Sequence, residues 1–361
     1  MSAAAELLAG ELAAFERALE DALAPQADYL TAVERALYRR GRRVRPTLLL
    51  LCARIAQPAA AHAGPLPGKV VRAAVSLELL HVATLIHDDV VDDAAVRRGG
   101  PSVNAARGRD AALLLGDLQF VQALRCFAAA VDGERDMELV RLVLDAGFDL
   151  CRGQLDELAA PSAPGAAPLA TAALRERWLR TIDRKTAALF GLACECGALL
   201  GGGRRRLAAL LGRSGRLLGR AFQAMDDLRD LVEPQASSGK PRGADLAQGR
   251  VSLPLILAAD ELAPDSPARA VLSGERVPAA LVADAADEVA ATRGFLAAYA
   301  QARSYALEAA DLLELLPRSP YRRALAALAH DVVDRGFARP PARGGETRWP
   351  LPTAATTSSA S

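Results

Sequence analysis

The sequence predicts an all-α fold. Apolar residues recur at helical spacing through nearly every long segment, strand-like alternation is scarce, and Ala and Leu stand where a β protein would place β-branched side chains. With 361 residues and 51% hydrophobic content the chain has ample material for a core. Aromatic residues are only 4%, so that core is built from Leu, Ala and Val. The 44 basic and 43 acidic residues nearly cancel, which excludes a broad basic field for nucleic acid. High apolar content with low net charge excludes disorder throughout.

Periodic segments run over 70–86, 110–127, 204–231 and 302–316, and stretches rich in Ala, Pro, Gly or Ser at 57–68, 159–173 and 233–243 read as loops between them. The longest uncharged stretch, 158–174, carries three prolines, so no transmembrane segment is expected. No repeat of fixed period points to a solenoid. A single all-helical domain is expected over 1–336, followed by a disordered tail over 337–361. The first residues carry acids early and lack a basic leader, unlike a secretory signal. Five cysteines without a CxxC pair point to a reducing, cytoplasmic setting. Cys194 and Cys196 are about 200° apart on a helix and read as small core residues rather than a metal clamp.

The sharpest feature is LLHVATLIHDDVVDDAAVRRGG at 79–100. Asp88 and Asp92 lie within about 40° of each other on a helix, so they share a face. Like charges at that spacing repel, and anions near a helix C-terminus oppose the macrodipole. The neighbours are Ile86, Val90 and Val91 rather than relieving cations, so Asp88, Asp89 and Asp92 point to a missing cation. FQAMDDLRDL repeats the arrangement with Asp226, Asp227 and Asp230. One such cluster is commonly a solvated helix face. Two, each closing an apolar helix, predict hard oxygen ligands for Mg²⁺ bridging to a phosphate. Zinc is disfavoured because no Cys and His set has four-ligand spacing. His87 is placed to orient an acid, and His81, by itself, reads as a core histidine.

Phosphate predicts cations as well. Arg42, Arg43 and Arg45 precede or open a helix at Pro46, and Arg97 and Arg98 follow the first acids. Only three of the 44 basic residues are lysine, and two of them, Lys185 in RKTAALF and Lys240 in SSGKPRGADL, fall beside these features. The 233–243 loop, with Ser237, Ser238 and Gly239, is expected to close over phosphate.

Taken together, GRRVRP (41–46), HVATLIHDDVVDDAAVRRG (81–99), GD (116–117), KTAALF (185–190), GRAFQAMDDLRDL (219–231) and GKPRGADLAQGRVSLPLILA (239–258) resemble the trans-isoprenyl diphosphate synthases, the polyprenyl synthetase family. The resemblance spans roughly 30–336. It implies an isoprenoid-synthase-type helical bundle around a deep central cavity, and a homodimer. It implies three Mg²⁺ held by the two aspartate motifs, isopentenyl diphosphate held by Arg42, Arg45, His81 and Arg98, and an allylic diphosphate contacted by Arg97, Lys185, Thr186, Gln223, Lys240 and Arg250. Ionisation of the allylic C–O bond, attack by the isopentenyl double bond and proton removal by released diphosphate would add five carbons per cycle. Arg40 replaces a glycine usual in the family, and Arg42 and Arg250 stand where lysine is common, which puts isopentenyl diphosphate affinity in doubt.

The growing tail is expected to run along the helix before the first aspartates, past Thr84, Ala83, Leu80 and Leu77, about 16 Å over 11 residues. No aromatic side chain blocks that path in the sequence, so a medium- to long-chain product is expected. A short-chain geranylgeranyl or farnesyl synthase is the runner-up. A terpene cyclase fits less well, because its second metal motif is not aspartate-rich, and a non-catalytic partner subunit has no need of both intact motifs.

Overall fold

Pro and Gly punctuation delimits the helices much as the apolar period requires. A computed structural model describes residues 2–39, 41–62, 64–133, 137–159, 169–233 and 241–334. Four helices open the chain: α1 (Ser2–Leu7), α2 (Ala9–Leu23), α3 (Ala32–Arg39) and α4 (Val44–Ala56). Pro46 lies in the first turn of α4, where a missing N–H costs nothing. Pro67 then stands before α5 (Gly68–Val91), 24 residues that bury apolar side chains on nearly every face.

At the acidic end of α5 the chain forms the one strand pair among the described residues, β1 (Val96–Arg97) with β2 (Gly100–Pro101). Arg98 and Gly99 make its two-residue loop with φ of 52° and 72°, both positive as in a type I′ turn. Next come α6 (Val103–Arg107), capped by the Ser102 hydroxyl accepting from the Ala105 N–H at 3.0 Å, and α7 (Arg109–Ala128). The sequence is followed by α8 (Met137–Leu158), α9 (Thr171–Ile182), α10 (Ala188–Leu200) and α11 (Arg205–Val232). Short α12 (Ala244–Gln248), α13 (Leu253–Ala258) and α14 (Pro267–Ala270) lead to α15 (Val282–Ala290), α16 (Arg293–Glu314) and α17 (Pro320–Asp334).

The frame is α5 against α7, α10 between α4 and α11, and α11 against α16. Among the described residues two helices, α5 and α7, are long and apolar enough to cross a membrane, a point the loop-centred sequence reading missed. Most of α5 is buried in the molecule, so its apolarity is that of a core helix, whereas less than half of the apolar window of α7 is buried.

Between α9 and α10 the helix widens into a π turn over Asp183–Ala187, which carries Lys185 and Thr186. Two glycines admit it. A Cβ on Gly153 of α8 would lie 2.8 Å from the Lys185 nitrogen, and one on Gly219 of α11 would lie 2.7 Å from the Ala187 Cα. Gly219→Ala is therefore expected to lower stability by ~1–3 kcal/mol through overpacking. Gly10→Ala on α2, where an added Cβ meets nothing within 4 Å, is expected to cost none. Denaturant unfolding of the two variants checks the contrast.

Candidate active site

The acidic ends of α5 and α11 face one cavity of about 1250 Å³. Helical geometry divides the six aspartates. Asp88, Asp92 and Asp226 lie on the cavity wall, with Asp226 exposed. Asp89, one residue round the helix from Asp88, is 0% exposed and accepts from Arg97 Nε at 2.7 Å and from its Nη2. Asp227 also reaches the wall, but its oxygens accept from Trp178 Nε1 at 2.8 Å, Gln223 Nε2 at 3.0 Å and the Leu253 N–H at 3.1 Å. Asp230 accepts the N–H groups of Ala244 and Asp245, both at 3.1 Å, and so fastens the start of α12.

Cations stand between these acids. Lys185 Nζ is 2.5 Å from Glu157 Oε2 and 3.5 Å from Asp88 Oδ1. Arg250 pairs with Asp92 and lies 3.7 Å from Glu157. Burial pushes Asp88 above its ordinary range; Lys185 opposes that, while Glu157 and Asp92 add to it. Burial works against the Lys185 charge, but Asp88 and Glu157 outweigh it and hold its pKa up. Burial, then the charge of Asp245, pushes Asp227 to about 7 and Asp230 to about 8.

Positive charge gathers on an adjoining stretch of the same wall and behind it, since Arg42 and Arg98 are not wall residues. Arg45 and His81 line the cavity; the Arg45 guanidinium sits 5.1 Å from the Phe190 ring centroid and that of Arg42 5.7 Å from Phe222. Arg98 Nη1 donates to the Leu37 carbonyl, and Nη2 lies 3.4 Å from His81 Nε2. Arginine only donates, so His81 Nε2 is the acceptor of a neutral imidazole. Burial, followed by the charges of Arg45 and Arg98, accordingly pushes His81 well below its usual value. Burial also lowers Arg45 to about 10, which leaves it cationic at neutral pH. Arg43, by contrast, turns to Glu16 at 2.7 Å and Glu78 at 3.0 Å. His87 Nε2 turns to α7, 3.2 Å from the Leu113 carbonyl and 3.3 Å from Asp117.

Thr186 donates to Gln223 Oε1 at 2.8 Å, so the π turn and the second aspartate motif are joined. Lys240 and Arg40 lie outside the described residues, as do residues 234–239 of the expected phosphate-closing loop. The cavity floor differs from the expected one. Thr84 lines it with Leu85, Phe120, Val121, Leu150 and Cys151, whereas Leu77, Leu80 and Ala83 are buried in the core away from this wall. The cavity turns from α5 toward α7 and α8, and a reading along one helix cannot see that turn.

Three residues absent from the sequence reading belong to the wall: Gln154, Glu157 and Trp178. The acid pair Asp156–Glu157 near the end of amphipathic α8 was a usable signal, although it lacks the spacing of the other clusters. Arg45 Nε, Gln154 Nε2 and Gln248 Oε1 are buried without hydrogen-bond partners among the described residues, and all three residues line this cavity. Concentration of unmet polar atoms there marks a ligand-binding surface.

Charge at the mouth and an apolar floor suit a molecule with an anionic head and a hydrocarbon tail, which defines a helical enzyme of diphosphate-bearing lipids. More particularly, the chain belongs to the polyprenyl synthetase family, whose model matches residues 27–287. It is 36% identical to the nonaprenyl diphosphate synthase of Mycobacterium tuberculosis over 298 residues, 82% of this chain and 83% of that one. Identity to the short chain isoprenyl diphosphate synthase of Methanothermobacter thermautotrophicus is 32% over 309 residues, 85% of this chain and 90% of its relative. The crystal structure of a Caulobacter crescentus polyprenyl synthase, complexed with calcium and isoprenyl diphosphate, superposes with a TM-score of 0.80 at 26% identity, covering 93% of this chain and 98% of that one.

The donor set fits a hard divalent cation, because carboxylate oxygens crowd the wall, and burial first, then neighbouring acids, raises Asp88, Asp227 and Asp230. Among the described residues no three acid, His or Cys side chains are already gathered at ligand spacing. Lys185 and Arg250 instead occupy the acids.

The raised aspartates set a pH dependence. From the ordinary 3.8 up to about 8 the native state holds protons that the unfolded chain has released, so their contribution to stability falls as pH rises through that window. Thermal melts in chelator are expected to give a lower Tm at pH 8.5 than at pH 6. Added Mg²⁺ should recover more at the higher pH, and Asp230→Asn should shrink the difference.

Proposed function

We propose that the protein is a Mg²⁺-dependent prenyltransferase that condenses isopentenyl diphosphate head-to-tail with an allylic diphosphate, giving a medium- to long-chain all-trans polyprenyl diphosphate. The observation that carries this is one cavity with two facing acid groups, an adjoining arginine pocket and an apolar floor. Asp88, Asp92 and Asp226 would hold Mg²⁺, three ions by family expectation, with Asp89, Asp227 and Asp230 fixing the helices that present them. The bound cation supplies charge to the diphosphate leaving group as the allylic C–O bond breaks.

The chain's own residues do the rest. Lys185 and Arg250 leave carboxylates for the diphosphate, and Arg97, Thr186, Gln223 and Lys240 complete that side. Arg45, His81, Arg42 and Arg98 bind and orient isopentenyl diphosphate, with His81 neutral so that it donates one N–H and accepts through the other nitrogen. Phe120, Leu150 and Cys151 exclude water from the carbocation and receive the tail.

A cavity of about 1250 Å³, open past Thr84 between α5, α7 and α8, favours the longer product over a short-chain one. Exposed Leu113 and Leu114 on α7, with Leu144 and Phe148 on α8, support a homodimer across these two helices. The unpaired cysteines suit the cytoplasm.

The purified chain with Mg²⁺, farnesyl diphosphate and labelled isopentenyl diphosphate is expected to make labelled polyprenyl diphosphates. A cyclic hydrocarbon, or turnover only with a second protein, would refute the reading. Asp88→Ala and Asp226→Ala are each expected to cut turnover by at least ~100-fold, the scale of losing charge stabilisation in the transition state. Phe120→Ala is expected to lengthen the product on chromatography.

A further inference from the structure

Glu78 has no part in the chemistry above, yet it is 2% exposed and lies three residues before His81 on α5. A carboxylate so placed requires compensation. Arg43 Nη1 donates to its Oε1 at 3.0 Å, while Glu16 of α2 holds the other side of the same guanidinium at 2.7 and 2.9 Å. Arg98 reaches the same spot. A Cβ on Gly41 would lie 2.6 Å from Arg43 Nη1, 2.8 Å from Glu78 Oε1 and 3.2 Å from Arg98 Nη1, so any side chain there would push these charged tips aside.

Backbone strain converges there too. Among the described residues just three other than glycine have positive φ, and two of them are Arg43 and Arg98, each at 52°. Such conformations persist where their surroundings over-determine them. Burial lowers both Arg45 and Arg98, and for each the strongest opposing influence is the charge of Glu78.

We propose that Glu78 is a positioning residue for isopentenyl diphosphate: it anchors Arg43 and, by its charge, steadies the neighbouring Arg45 and Arg98 beside His81 before the diphosphate arrives. This rests on the pocket assignment given under the proposed function. Removing the charge has two opposed effects. A more positive pocket would attract a diphosphate more strongly, but guanidiniums without their shared counter-ion repel and relax out of the strained geometry. Arg43, left-handed and held with its guanidinium on this carboxylate, makes the second effect the larger.

Steady-state kinetics with both substrates test it. Glu78→Gln keeps the shape and removes the charge; it is expected to raise KM for isopentenyl diphosphate about tenfold, the size of one charge-assisted hydrogen bond. KM for the allylic substrate should stay within about twofold, and kcat at saturation should hold, since no transition-state contact is lost. An unchanged or lowered isopentenyl diphosphate KM, or equal rises in both KM values, overturns the proposal. If Glu78→Gln does not fold, Glu78→Asp keeps the charge but shortens the reach and is expected to raise the same KM several-fold; no rise there also overturns it. Arg45→Gln separates this from the pocket assignment. If that change raises only the allylic KM, the assignment fails whatever Glu78 does.

Discussion

Carboxylates fixed in an apolar wall are the constraint on which the rest of the structure depends. Asp88, Asp92 and Glu157 converge across a cavity whose helices were built to bury leucine and alanine, and a charge in such surroundings is tolerated only when another charge or a donor meets it. Lys185 and Arg250 meet these three, Arg97 meets Asp89, and Trp178, Gln223 and a backbone N–H meet Asp227. Apart from Gln223, which shares α11 with Asp227, each partner comes from another element than the acid it meets. The electrostatic demand of the site therefore also dictates how α5, α8, α9, α11 and the 249–253 segment are held together.

The mouth and the floor divide the labour between polar and apolar chemistry. Near the aspartates the wall is charged, and its acids are met by internal ion pairs with Lys185 and Arg250. Beyond Thr84 the wall becomes Leu85, Phe120, Val121 and Leu150, which offer a hydrocarbon nothing to bond and water no reason to stay. Two of these, Phe120 and Val121, come from α7, each seven residues after an exposed leucine, Leu113 or Leu114, and so on the same side of that helix.

Much of this was legible along the chain because helices convert spacing into shared faces. The i,i+4 relation placed Asp88 with Asp92, and the apolar period located α5, α7 and α11 closely and α16 in its second half. What escaped was what depends on neighbours distant in sequence. Asp89 and Asp227 read as ligands beside their partners, but Arg97 and Trp178 draw them inward. Glu157 carries no motif spacing, and its importance comes from Lys185, which reaches it from the π turn. Leu77, Leu80 and Ala83 share a helix with the site yet not its wall, since packing rather than periodicity decides where a cavity bends. The π turn itself gave no signal, for DRKTA reads as ordinary helix.

That turn has a consequence for how the chain tolerates changes of length. The turn begins five residues after Trp178, which is bonded to Asp227, and contains Lys185, which is bonded to Glu157. Because a π turn fits one extra residue into nearly the winding of an α turn, losing one residue there would restore ordinary helix with little rotation between the segments on either side. Trp178 would keep its partner, while Lys185, inside the turn, would be re-aimed away from Glu157. A change of length at these few positions is thus absorbed by the helix and felt at the cavity wall.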